Sequence, residues 1–340
     1  MDKKKLLLAG AAILILIVGM MIYSTSKENK YKKFVAEQTQ AEVTRVAEEI
    51  EAQGAKRWVE IEKDEEGYRI RAERGTTIEI PETQYLLRET LKTGDTETVS
   101  YMNGEGSLAE RVEISYYDAP KLAILIDDVG MSMGAAGYFG EIDEALTFAT
   151  IPFLPKSRQA TEKLQEDGFE VILHMPMAGS SDSLNSRTEG ILLPTMSREK
   201  IYDAFDRALE DVGRVDGFNN HMGSRLTANE KKMRELLGYA KRKDLYFIDS
   251  NTAVNNLGYP ISKELGLPTY YASHFLDNSR DMEDMKREIR RSVGLAKHKG
   301  QVLVIGHYHK GLAIAIKEML PYIEEQGVKL VFARELLETN

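Results

Sequence analysis

The sequence predicts an α/β protein: a barrel of parallel strands over residues 119–340, preceded by a small α+β module, a helical stalk and a transmembrane anchor. Three observations lead there. From Lys121 onward, short apolar runs alternate with helix-length amphipathic segments: "KLAILIDD", "LTFATIPF", "FEVILHMPM", "DGFNNHMGS", "LYFIDSN", "TYYASHFLDN", "QVLVIGHYH" and "KLVFARELL". Short strands that are apolar throughout and separated by helices belong to a parallel sheet covered on both faces. Nearly every run also ends in chemically competent side chains, among them Asp127, Asp128, His174, Asn219 to Ser224, Asp249, Asp277 and His307. A barrel gathers the carboxy-terminal ends of its strands at one mouth, whereas an open sheet concentrates function at a single switch point, so this many contributing strands favour the barrel.

Composition bounds the chemistry. The 340 residues, 42% hydrophobic and 29% charged, suffice for one large domain with an appendage. A net charge of -9 with no dense basic stripe excludes a general nucleic-acid surface, which must displace phosphate counterions. The absence of cysteine excludes disulfides, thiolate metal sites and a cysteine nucleophile, so any transition metal must be held by histidine and carboxylate.

Along the chain, residues 1–27 read as a cytoplasmic tip and a transmembrane signal anchor. Three lysines precede an uncharged apolar run from Leu6 to Tyr23. At about 1.5 Å per residue that run just crosses a hydrocarbon core of about 30 Å. It ends in Met20, Met21, Ile22 and Tyr23 rather than in a small-x-small cleavage site, which favours an uncleaved anchor over a signal peptide. The leading lysines place the remainder on the extracytoplasmic side of the membrane, although Lys27, Lys30, Lys32 and Lys33 weaken the asymmetry. Residues 28–53 lack Gly and Pro and read as a solvated stalk helix with Val43, Val46 and Ile50 on one side. Residues 54–118 alternate in short runs ("WVEIE", "YRIRAE", "TIEI", "RVEISYY") around a more helical "PETQYLLRETLK". This is the α+β module, a candidate surface for an envelope protein partner.

Several strand ends carry candidate chemistry. Adjacent carboxylates at Asp127 and Asp128 repel unless a cation intervenes, in which case one binds it and the other serves as a base; the plainer reading has one of them capping a helix. His174 is held before Pro176, and His221 sits at another strand end. Two neutral imidazoles with one carboxylate make a three-ligand site with open positions, the arrangement of hydrolytic metals. Asn219, Asn220 and Ser224 orient ligands, bind substrate or cap local turns. His307 is the functional candidate of "VIGHYH", and His309 is a helper or an exposed loop residue. His298 reads as a solvated helix-end residue, and nothing local decides His274. Asp249 either orients an imidazole or caps the turn after its strand.

In this order the segments "LIDDVG", "IPFLP", "EVILHMPM", "NNHMGSRLT", "LYFIDSNT", "FLDN" and "VIGH" resemble the divergent polysaccharide deacetylase family, a branch of the carbohydrate-esterase deacetylase superfamily. The resemblance implies a distorted (β/α) barrel, a divalent metal with Zn2+ the first candidate, and hydrolysis of acetyl groups on an envelope polysaccharide or peptidoglycan-type glycan. It makes Asp127 the base, Asp128 and His174 metal ligands, and His307, oriented by Asp249, the acid. The superfamily's second motif carries two histidines, but Ala178 stands where the second would fall; His221 is the expected replacement from across the mouth. An arginine near the base is also missing, with Arg225 the nearest substitute. These departures leave a second reading, a weak or inactive envelope glycan-binding or scaffold protein that keeps the fold.

Overall fold

The computed structural model describes the backbone of residues 3–65 and 67–339, and the side chains of residues 18–339 other than those of residues 19, 22 and 66. The apolar run from Leu6 to Tyr23 falls almost wholly outside the residues described to side-chain level. Among the described residues no helix is long and apolar enough to cross a membrane. The chain divides into Met1–Asp118 and Ala119–Asn340.

In the first unit a long helix, α1 (Lys3–Ala52), leads into β1 (Val59–Lys63), β2 (Tyr68–Glu73), β3 (Leu87–Thr93), β4 (Thr96–Met102) and β5 (Leu108–Tyr117). These form one sheet in the order β1-β2-β5-β4-β3, parallel only between β2 and β5. The end of α1 is not a solvated stalk. Val46 and Ile50 are fully buried in a core with Tyr68, Ile70, Val99, Val112 and Ile114, because a sheet of alternating sequence has one apolar face that some element must cover. Farther back on α1, the Glu42 carboxylate accepts from the Gln84 and Tyr85 amides at 2.6 Å each. The helical expectation over "PETQYLLRETLK" is also corrected, since its second half is the edge strand β3. Gly94 and Asp95 form a two-residue turn with Gly94 at φ +60°, and β3 pairs with β4 from Leu87↔Met102 to Thr93↔Thr96. Hairpin chemistry at that turn outweighs the helix propensity of Leu, Arg and Glu.

The second unit alternates β6 (Lys121–Val129), α2 (Ala136–Phe139), β7 (Thr147–Thr150), α3 (Ser157–Glu166), β8 (Glu170–Met177), α4 (Asp182–Asn185), α5 (Arg198–Val212), β9 (Gly217–Met222), α6 (Glu230–Lys241), β10 (Tyr246–Asp249), α7 (Gly258–Leu265), β11 (Thr269–Phe275), α8 (Met282–Lys299), β12 (Gln301–His307), α9 (Lys310–Glu325) and β13 (Lys329–Val331). Strands β6 to β12 are parallel, each beside the next, and β12 pairs with β6 to close the barrel. The eighth apolar run is not an equal stave. β7 pairs with β6 only from Leu125 onward, and the short β13 fills the vacant stretch at Lys121–Ala123. The chain after it then turns inward, so that Ala333 and Leu336 fill the barrel interior.

Strand side chains alternate between this interior and the helical layer. Ala123, Leu125, Ile172, Ile248, Leu303 and Ile305 face inward, whereas Leu122, Ile124 and Ile126, and likewise Leu173, Phe218 and Phe247, pack outward against helices. At the amino-terminal end of the barrel the buried Glu170 ties three strands together, accepting from the Thr147 hydroxyl at 2.6 Å and the Tyr246 hydroxyl at 2.8 Å. The burial of α1 gives a direct expectation: Ile50→Ala destabilises the first unit by about 2–5 kcal/mol in a denaturant titration, whereas an exposed stalk position would shift it by less than about 0.5 kcal/mol.

Candidate metal centre at the barrel mouth

The inward rows of the barrel carry the chemistry. Asp127 continues Ala123 and Leu125, His174 follows Ile172, His307 follows Leu303 and Ile305, and Asn219 and His221 lie on the face opposite to Phe218. Asp128 belongs by this count to the outer face. It is brought round by a left-handed backbone, φ +64°, at a register shift between Ile126 and Val129. Gly130 completes the turn at φ +126°, where a Cβ would lie 2.9 Å from Ser157 Oγ. Both carboxylates thereby reach one imidazole, with Asp128 Oδ1 3.2 Å and Asp127 Oδ2 3.6 Å from His174 Nε2.

Three donor atoms converge. Asp128 Oδ1, His174 Nε2 and His221 Nδ1 are separated by 3.2, 3.1 and 3.2 Å. Ligand atoms at about 2.0–2.1 Å from a tetrahedral centre are about 3.3 Å apart, so the triangle fits a single divalent cation. The tautomer fits as well. Asn219 donates its amide to Asp127 Oδ1 at 2.8 Å and to Ser250 Oγ at 3.0 Å, which turns its carbonyl onto His174 Nδ1 at 2.6 Å. A carbonyl only accepts, so His174 carries its proton on Nδ1 and presents the Nε2 lone pair to the centre. Asp128 Oδ1 is buried without a hydrogen-bond partner, an arrangement that a bound cation would satisfy. Burial pushes the Asp128 carboxyl up, but protons on the facing nitrogens of His174 and His221, which a bound cation would replace, outweigh it and hold the group well below the usual carboxylate range. Burial pushes Asp127 up, against the opposing pull of His174 and Asn219.

Across the mouth, β12 pairs with β6 in a register that sets His307 opposite Asp127. His307 Nδ1 lies 2.9 Å from Asp277 Oδ1, and its ring stacks on Phe275. The hydrogen bond to Asp277 raises the His307 pKa against the effect of burial. Asp249 does not orient His307, which corrects the sequence reading. It shares the outward face of Phe247 and accepts from Asn251 N at 2.9 Å, Tyr259 N at 2.7 Å and the Asn256 amide, so it caps the loop leading into α7. Asp277 takes that role from the turn after β11. There a bulge between Ala272 and Phe275 interrupts the pleat, and counting along the strand no longer tells which residue faces in.

Asn220 braces neighbouring strands. It is buried, accepts from Ser250 N at 3.0 Å and donates to the Met222 carbonyl at 2.8 Å, tying β9 to β10. Asn219 is fully buried and its amide is spent on Asp127, Ser250 and His174, so it orients the His174 ring. Ser224 lies half-buried just past β9, outside the hydrogen bonds that fix the centre. Arg225 faces away from the base, pairing with Asp182 at 2.7 Å and the Ser180 carbonyl at 3.0 Å. His298 is exposed near the end of α8, and His274 packs against Ser292 of the same helix at 3.1 Å. Asp128 and His221 open onto a cleft of about 470 Å³, walled by Ile151, Phe153 and Leu154 on one side and by Arg187 and Glu189 among its polar lining.

Residues 124–337, well over half of the chain, match the divergent polysaccharide deacetylase family. The chain belongs to that family. Similar sequences include YibQ of Escherichia coli (strain K12), 32% identical over 220 residues covering 64% of this chain and 68% of that protein. A Haemophilus influenzae protein is 32% identical over 187 residues, covering 55% of this chain and 66% of its own length. Among solved structures, ATU2773 of Agrobacterium tumefaciens C58 superposes with a TM-score of 0.60 at 18% identity, covering 64% of this chain and 89% of that one. It shares the fold. Within this family member, the triangle sets the expected metal dependence: His221→Ala and His174→Ala each abolish Zn2+ binding by calorimetry, and His298→Ala leaves it unchanged. Asn219→Ala, which frees the His174 tautomer, weakens binding by about 10–100-fold.

Proposed function

We propose that the protein is a metal-dependent hydrolase that removes acetyl groups from an envelope polysaccharide or a peptidoglycan-type glycan. The observation that carries this reading is the placement of the Asp128, His174 and His221 triangle between a buried carboxylate and an imidazole paired with a second carboxylate. A divalent cation at the triangle, with Zn2+ the first candidate, would polarise the acetyl carbonyl and make a water more acidic. Asp127, whose pKa burial raises, accepts the proton of the attacking water. Asn219 holds Asp127 Oδ1, which leaves Oδ2 on the side of the three donors. His307 donates its proton to the departing amine or alkoxide, and Asp277 stabilises the cationic imidazole before transfer. Acetate and the free amino or hydroxyl group result, with no covalent enzyme intermediate.

The apolar run Leu6–Tyr23 supports a single-pass anchor that holds the barrel on the extracytoplasmic side, where such a glycan lies, and leaves residues 54–118 as a surface for an envelope protein.

Activity requires Asp127 ionised and His307 protonated. It therefore rises with pH through the raised pKa of Asp127 and falls through the raised pKa of His307. Asp277→Asn removes the partner that raises His307, so the alkaline limb of acetate release moves to lower pH. Asp127→Asn retains Zn2+ binding and lowers kcat by about 10²–10⁴-fold. Acetate release that is indifferent to Asp127→Asn sinks the hydrolase reading; glycan binding by the Zn2+-loaded wild type with no acetate released turns the protein into a glycan-binding scaffold.

A further inference from the structure

Asp277 serves two imidazoles. Its Oδ1 meets His307 Nδ1 at 2.9 Å, and its Oδ2 accepts from the His307 backbone N–H at 3.1 Å and faces His309 Nε2 at 3.0 Å. His309 is the N-cap of α9, and its Nδ1 accepts from the Leu312 amide at 3.2 Å. An imidazole nitrogen that accepts a backbone N–H bears no proton, so His309 is neutral and its Nε2–H donates to Asp277. The neighbouring sequence makes room for this ring. At Gly311 a Cβ would stand 3.2 Å from His309 Nδ1 and 3.3 Å from its Cε1, and a glycine in the first turn of a helix is tolerated at a cost of about 1 kcal/mol relative to alanine.

We propose that His309 is a positioning residue that tempers the basicity of His307, and so eases release of its proton, by sharing the Asp277 carboxylate with it. The inference rests on the acid role of His307 in the proposed hydrolysis. A general acid works best with a pKa near the working pH. The carboxylates of Asp277 after β11 and of Asp127 and Asp128 from β6 act on His307, and the Arg280 guanidinium lies 3.9 Å from Asp277 Oδ2. Asp277 is the carboxylate in contact with the ring, and unshared it would make His307 a reluctant donor. The neutral N–H of His309 withdraws part of the Asp277 charge and cannot itself take up the proton without giving up the cap of α9.

His309→Asn separates the two duties, because asparagine is a good N-cap but is too short to reach Asp277. In the full chain with ring-labelled histidine, the NMR titration midpoint of His307 moves to higher pH in His309→Asn, and the alkaline limb of acetate release moves with it. The melting temperature stays at the wild-type value. His309→Ala shows the same midpoint shift and also loses the cap, lowering the melting temperature by about 2–4 °C. A His307 midpoint that is unchanged or lower in His309→Asn overturns the proposal. If the wild type releases no acetate, the hydrolase reading fails, while the imidazole midpoint still decides the role of His309.

Discussion

The centre depends on the closure of β12 onto β6. Their pairing runs without interruption from Gln301↔Lys121 to His307↔Asp127. In a closed barrel there is no free edge along which a strand can slip, and a slip of one residue would send every inward side chain outward. The register therefore fixes more than stability. It sets an imidazole beside a carboxylate across adjacent strands, and the same two-residue pleat carries His174, Asn219 and His221 to the mouth from β8 and β9. The backbone thus positions the reactive groups before any side-chain contact is made.

Side chains then set their protonation. Asn219 donates to Asp127 on its amide side and imposes one tautomer on His174 through its carbonyl. The Leu312 amide imposes a tautomer on His309 in the same way. Both imidazoles are fixed by groups that cannot titrate, an amide side chain and a peptide N–H. Three carboxylates and four imidazoles crowded at one mouth would otherwise admit many proton arrangements of similar energy.

Much of this was legible in the sequence, for a physical reason: apolar parallel strands and their polar ends form a strong pattern, and Asp127, Asp128, His174, His221 and His307 stand out in it. The failures share one origin. Asp249 and Asp277 both end apolar runs, and only the inward or outward sense of each strand separates them. That sense could be read for Asp249, which shares the face of Phe247, but for Asp277 it was hidden by the bulge in β11. The bracing role of Asn220 was not legible because hydrogen bonds between neighbouring strands leave no mark on a single strand's composition. Outside the barrel, the helical reading of residues 81–92 gave way to the turn at Gly94 and Asp95, and Val46 and Ile50 proved to be core because the sheet of the first unit needed a cover.

The left-handed backbone at Asp128 has an evolutionary consequence. A non-glycine residue held there costs of order 1–3 kcal/mol, so a glycine at this position would relax the turn while removing a ligand from the triangle. Selection for foldedness alone pulls this residue away from the chemistry. One substitution there could remove the triangle and leave a sturdier barrel, so loss of the centre is thermodynamically easy to reach.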